Sequence, residues 1–256
     1  MRTLFWVMPQ HNFFKINYQK RTYRNRIFPN EKLQAFNVTV LETDLFIHAD
    51  SLLSDFVYKS VYKFREYIES YIRYHPDFLT SLFPIRHDHI APDIVRDMLK
   101  ASELVNVGPM ASVAGAIAEY VGKDVLQSGS KNVVIENGGD IFLKTQDEIT
   151  ISIFAGKSRL SEKLKILVRP EDMPMGICTS SATVGHSLSF GKADAICILS
   201  HSSTIADAAA TAIGNQVRDK KDISKALAIG SNIKEIIGIL IIIDDRMAVQ
   251  GKIELI

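Results

Sequence analysis

Cysteine is scarce in this chain. Cys178 and Cys197 are the two in 256 residues, each among apolar neighbours, and no CxxC pair occurs. That excludes a disulfide scaffold and leaves zinc without its usual pattern; two buried small hydrophobes in a reducing compartment fit better. A run long enough to span a bilayer is also lacking. Residues 236–243, "IIGILIII", lie between charged ends and fall far short of the ~20 apolar residues of a membrane helix, so they read as a buried strand. The apolar stretch at residues 4–8 is too short for a secretory core and has no small-residue cleavage site behind it, which makes the cytoplasm the expected location. A charge imbalance is missing too: the formal net charge is +1, so no overall field favours nucleic acid or an anionic membrane as partner. Neither GxGxxG nor a P-loop pattern is present, which removes the commonest nucleotide folds but not nucleotide binding by other means.

What is present describes a globular chain, 46% hydrophobic and 23% charged, with enough length for a full core. Residues 1–25 form a basic, aromatic arm, with Lys15, Lys20, Arg21 and Arg24 among Phe13, Phe14, Tyr18 and Tyr23. Its charges read as solvated instead of nucleic-acid-binding. Residues 26–256 read as a single domain. Residues 36–50 alternate as two short strands or one bent strand. Apolar positions three and four apart from Leu53 to Ile72 predict a long amphipathic helix ended by Pro76. A shorter helix begins near Pro92, and an Ala-rich helix follows Gly108-Pro109. Strands are expected near residues 133–135, 141–143, 149–154, 164–168 and 193–199, helices near 204–217 and 223–227, then a closing hairpin. Elements of one kind come in runs, which predicts an α+β fold with largely antiparallel sheets packed with helices.

Three stretches carry chemistry. In "HSSTIADAAATAIGN", Asp207 and Thr211 are four apart, so on a helix they share a face that the intervening alanines leave open. A carboxylate stacked with a hydroxyl offers two hard oxygen ligands of the kind Mg2+ prefers, with water and substrate phosphates filling its shell. The same residues match a capping box, in which Asp207 would only satisfy the backbone amide of Thr204. The second stretch gathers six hydroxyls, those of Thr179, Ser180, Ser181, Thr183, Ser187 and Ser189, around Gly185 and His186. A phosphate or ribose is their natural partner, a self-satisfied surface turn the alternative. His186 is the first candidate there for proton transfer. In the third, "VVIENGGDIFL", Gly138-Gly139 between β-prone runs signals a hairpin. Glu136 and Asp140 beside it would repel each other unless a cation, a sugar hydroxyl or an amine lay near. His87-Asp88-His89 sits in a proline-bounded loop with no third ligand in view and reads as solvated.

In combination and in this order, "VGPMASVAGAIAE", "ENGGD", "TSSATVGHSLSFGKAD" and "ADAAATAIGN" resemble the ApbE superfamily, whose founding members are FAD:protein FMN transferases. The likeness is greater to its short cytoplasmic, functionally uncharacterised branch, from about Tyr23 onward, including "ETDLFI", "FPIRHDHIAP" and "ISIFAGKS". The resemblance implies an α+β fold related to the T-fold, FAD or FMN as ligand or substrate, and Mg2+ or another divalent cation. In the transferases a backbone carbonyl of an alanine in a GGIAKG helix start and the Asp and Thr of an ADAxxT start hold the metal; by similarity these fall on Ala111, Asp207 and Thr211. The flavin-contacting NAGGD turn matches Asn137, Gly138, Gly139 and Asp140, preceded by Glu136. The TSG loop matches Thr179, Ser180 and Ser181, and the histidine opening HIIDPRTG matches His186, which the resemblance makes catalytic. Ser112 replaces the AKG lysine, DPRTG is absent with Ser189 roughly where its aspartate would be, and the lipoprotein signal common in the superfamily is missing. The implied activities are Mg-dependent FAD pyrophosphate cleavage or FMN transfer to a protein acceptor. The alternative is a non-catalytic flavin-binding or accessory protein, with sulfur assimilation a role that archaeal relatives suggest. The small-residue helix and apolar strands permit a homodimer.

Overall fold

A computed structural model of the chain describes residues 27–28, 33–182 and 190–256. The arm at residues 1–25 lies outside them. After a two-residue strand, β1 (Ile27–Phe28), the alternating segment forms two strands, β2 (Gln34–Val40) and β3 (Thr43–Ala49), in antiparallel register. In β2, Phe36, Val38 and Val40 turn inward while their neighbours are exposed, as the period of two requires. Helix α1 (Ser54–Tyr74) buries Val57, Val61, Phe64, Ile68 and Tyr71, one stripe at three- and four-residue spacing. It ends at His75, whose backbone leaves the helical region ahead of Pro76. A single turn, α2 (Asp77–Thr80), leads to α3 (Asp93–Val105), closed by Asn106 in the left-handed conformation. A 3-10 turn, Pro109–Ser112, then runs directly into α4 (Val113–Gln127).

The second half supplies most of the sheet. Strands β4 (Val133–Asn137), β5 (Asp140–Lys144), β6 (Ile149–Ser152), β7 (Lys165–Val168), β8 (Met175–Ser180) and β9 (Ala195–Ser200) are followed by α5 (Ser203–Gly214) and α6 (Ile223–Ser231). The apolar run is strand β10 (Ile236–Ile243), paired with β9 and with β11 (Arg246–Gly251); β12 (Glu254–Leu255) closes the chain. Among the described residues the strands make two sheets, one of eight in the order β11-β10-β9-β8-β5-β4-β3-β2 and one of four in the order β1-β6-β7-β12. Every pairing is antiparallel.

The large sheet is sandwiched. On one face, α1, α3 and α4 pack over β2 to β5, burying Leu45, Ile47, Ile135 and Phe142, while α5 covers β8 to β10 over Cys178, Ile196, Ile198 and Ile241. On the other face, the small sheet meets Val134, Ile141, Leu143, Ile177 and Cys197. The two faces use alternate residues of the same strands, which is why β5, β8 and β9 read as continuous apolar runs. Both cysteines are buried and unpaired. No single helix among the described residues is long and apolar enough to cross a membrane.

Candidate functional site at the crossing of two helices

The site grows from the contact between α4 and α5. Gly115, in the first turn of α4, lies so close to α5 that a Cβ there would stand 2.3 Å from the carbonyl oxygen of Ser203 and 2.8 Å from the Cβ of Asp207. Glycine is required because the two backbones touch. Across this crossing the helices exchange carboxylates. Asp207 accepts a hydrogen bond from the Gly115 backbone N–H at 2.9 Å. In the other direction Glu119 of α4 accepts from the Thr204 N–H and hydroxyl, both at 3.0 Å, and from the Ser202 hydroxyl at 2.8 Å, all on one oxygen. Ser202 is the N-cap of α5 and in turn accepts from the Ile205 N–H. The capping box expected between Thr204 and Asp207 therefore does not form. Glu119 takes the amide of Thr204, and Asp207 is directed to another helix.

The Gly138-Gly139 turn sits beside this crossing. Both glycines have positive φ, 68° and 107°, as a two-residue I′-type hairpin demands, and Asn137 pairs with Asp140 across it. Asn137 donates through its side-chain amide to the Ala114 carbonyl at 3.0 Å, tying the hairpin to the start of α4. Glu136 is buried and folds back to accept the Gly139 N–H at 2.8 Å, so one of the two flanking acids holds the turn itself. Asp140, also buried, points to the helix-covered face, close to the Thr179 N–H and to the Cys178 thiol, which donates to the Ser203 carbonyl at 3.3 Å.

Electrostatics set these acids apart. Burial pushes the carboxyl of the half-buried Asp207 up to about 7, against the opposing effect of the Gly115 and Ala114 amides. Asp140 is held well above the usual carboxylate range, first by burial and then by the charge of Asp207, with Glu136 adding to it. The Cys178 thiol beneath is pushed far up by burial and by both aspartates, and the Cys197 thiol is pushed up by burial to about 12. Among the described residues no cationic side chain acts on either aspartate. Two neighbouring carboxyls without a protein cation suit an external one, or a shared proton in its absence. Hard oxygen donors match a hard divalent ion. Among the described residues no three His, Cys, Asp or Glu side chains group to hold a metal by themselves, so hydroxyl, carbonyl or phosphate oxygens have to complete any such shell.

The structure brings several of the predicted residues together. Ala111 lies in the 3-10 turn ahead of α4 and packs against the small cluster of Ala101, Val107 and Ala208, the last of these on α5. Thr211 is one turn beyond Asp207 on α5. Thr179 and Ser180, adjacent in sequence, part company: Thr179 lies on the small-sheet side and bonds Cys197, whereas the Ser180 hydroxyl faces α5, 3.6 Å from a Cβ built at Gly214. Ser181 follows directly after β8. Thr183, Gly185, His186, Ser187 and Ser189 lie outside the described residues. Ser112 is fully buried, its hydroxyl donating to the Pro109 carbonyl at 2.8 Å. Glu119 was the residue that pattern reading missed. Its only local signal is Lys123 four residues on, which it pairs at 2.7 Å, and that resembles an ordinary surface pair.

The mixed helix and antiparallel-sheet fold is shared with solved ApbE structures. The flavinyl transferase ApbE of Pseudomonas stutzeri superposes with a TM-score of 0.53 at 12% identity, covering 86% of this chain and 94% of that one. The ApbE protein of Thermotoga maritima gives 0.53 at 12%, covering 86% and 97%. The family model described as "AbpE bacteria" matches residues 25–247, and the chain belongs to that family. Among curated relatives, the UPF0280 protein of Methanocaldococcus jannaschii is 46% identical over 198 residues, 75% of this chain and 80% of that protein. The UPF0280 protein of Methanococcus aeolicus is 39% identical over 221 residues, 84% and 89%.

Proposed function

We propose that this chain binds a flavin nucleotide between the Gly138-Gly139 hairpin and the α4–α5 crossing, and cleaves the pyrophosphate of FAD or passes FMN to a protein acceptor. The observation that carries the reading is the pair Asp140 and Asp207, two neighbouring carboxyls beside the start of α4 on which no cationic side chain of the described residues acts. A divalent cation such as Mg2+ would be held by Asp207, Thr211 and the Ala111 carbonyl, and would offset charge on pyrophosphate oxygens when bound. The backbone of Gly138 and Gly139 admits close approach of a planar or phosphate-bearing ligand, since no Cβ intervenes. Asn137 and Glu136 hold that turn in place. Ser180 and Ser181 offer hydroxyls at the end of β8, and His186, on the segment that follows, takes the proton of the attacking oxygen. With water as acceptor the products are FMN and AMP; with a hydroxyl of a protein, an FMN phosphoester and AMP.

The test is FAD turnover by the full chain with Mg2+. AMP is expected to form, and to be lost with chelator and in Asp207→Ala. FAD binding that ignores Asp207→Ala, with no product, overturns the reading.

One observation favours a second reading, a flavin-binding protein without the chemistry. Ser112 stands where the transferases carry lysine, and it is buried with its hydroxyl engaged by Pro109, so no cationic side chain enters from that position. Mass spectrometry of the ligand that co-purifies, together with calorimetry for FAD and FMN, separates the two: tight binding without turnover supports the second.

A further inference from the structure

We propose that Glu119 is the positioning residue of this site, holding Asp207 in register with the Ala111 turn; the inference rests on the cation reading above. The proposed ligands come from two segments, Asp207 and Thr211 on α5 and Ala111 just ahead of α4. Their spacing is therefore set by how α4 and α5 are docked. Two carboxylates lock that docking, and they form a closed circuit: Glu119 of α4 holds the first turn of α5, and Asp207, the next turn of α5, holds the first turn of α4.

Glu119 is 4% exposed, and each oxygen has a separate task. One accepts the Ser202 and Thr204 hydroxyls and the Thr204 N–H; the other accepts the Lys123 ammonium at 2.7 Å. Thr204 is buried and stands three residues before Asp207, on the same side of the helix. Removing the acceptor leaves a buried N–H and hydroxyl with no partner and frees the turn that carries Asp207 to shift. Because a single oxygen makes the cap, an acceptor is required there and a charge is not. A glutamine can present its carbonyl to α5; an alanine presents nothing.

The test is Mn2+ titration of the full chain, followed by the electron paramagnetic resonance of free Mn2+, with thermal unfolding of every variant alongside. The unaltered chain is expected to bind, Asp207→Asn not to bind, and Glu119→Ala to bind about 10-fold or more weakly, as outer residues that orient metal ligands do. Glu119→Gln is expected to restore affinity close to that of the unaltered chain, a rescue that loss of general stability would not produce. Should Glu119→Ala fail to fold, the double change Ser202→Ala with Thr204→Val removes the hydroxyl donors and is expected to weaken binding in the same sense. A folded Glu119→Ala, or in its absence a folded double variant, with unchanged affinity overturns the positioning role alone, provided Asp207→Asn has lost binding. A Glu119→Gln as weak as Glu119→Ala overturns it as well. Unchanged binding in Asp207→Asn, or no binding by the unaltered chain, overturns the cation reading and this inference together.

Discussion

Glu119 and Asp207 cap each other's helices. The carboxylate of Glu119, on α4, takes the backbone N–H of Thr204 in the first turn of α5, and that of Asp207, on α5, takes the N–H of Gly115 in the first turn of α4. Negative charge at each helix start is favourable for both, and each contact depends on the other because the helices must lie flush for either to form.

The first prediction concerns that flush contact. Gly115→Ala puts a methyl 2.3 Å from the Ser203 carbonyl, and neither atom is the mobile end of a side chain. The helices must separate. Urea unfolding is expected to record a loss of about 1–3 kcal/mol, the range of an overpacked core, together with weakened Mn2+ binding. Unaltered stability would show that the crossing yields freely.

Asp207 gives a pH dependence whose sign can be worked out. Its carboxyl titrates at about 7 in the folded chain against an ordinary value of 3.8. The folded state thus holds the proton more tightly than the unfolded one, so the contribution of Asp207 is most favourable below about pH 4 and is lost as pH rises through about 7. In chelator, the stability of the unaltered chain relative to Asp207→Asn is expected to fall between those two values. A flat difference would mean that burial does not govern this carboxyl. Added divalent cation should reverse the trend above pH 7, because it binds the ionised form; at 100 times its Kd the gain is about 2.7 kcal/mol.

The hairpin allows a test of backbone strain without steric complication. A Cβ at Gly138 meets nothing within 4 Å, yet its φ is 68°. Gly138→Ala should cost about 1–2 kcal/mol in chemical denaturation, and Gly138→Asn distinctly less, since asparagine tolerates the left-handed region. Equal costs would point to a contact instead of a dihedral.

Both thiols are predicted to be inert in the native protein. Burial raises Cys178 and Cys197, and the two aspartates raise Cys178 further. An aromatic disulfide reagent at pH 8 should label neither until denaturant is added. Fast labelling of the folded chain would contradict the burial of β8 and β9.

Much of this architecture was legible beforehand. The stripe of Val57, Val61, Phe64 and Ile68 announced α1, the run at 236–243 announced a buried strand, and Gly138-Gly139 announced the turn, each through a local period or a local dihedral demand. The shared helix of two candidate residues was legible too, since Asp207 and Thr211 stand four apart and both lie on α5. The partition of Thr179 from Ser180 was implicit in strand alternation, but only the position of α5 says which side matters.

The sequence by itself determined the elements, the turn and the family, because those follow from spacing within a dozen residues or from motifs held in order. The tertiary structure alone decided the partners of the acids. A Thr-x-x-Asp pattern is an equally good cap for its own helix, and nothing local distinguishes that from the contact found, which joins Asp207 to Gly115 across 92 positions and Thr204 to Glu119 across 85. Which carboxylate meets which amide depends on two backbones meeting where Gly115 has no side chain, and that is a property of packing.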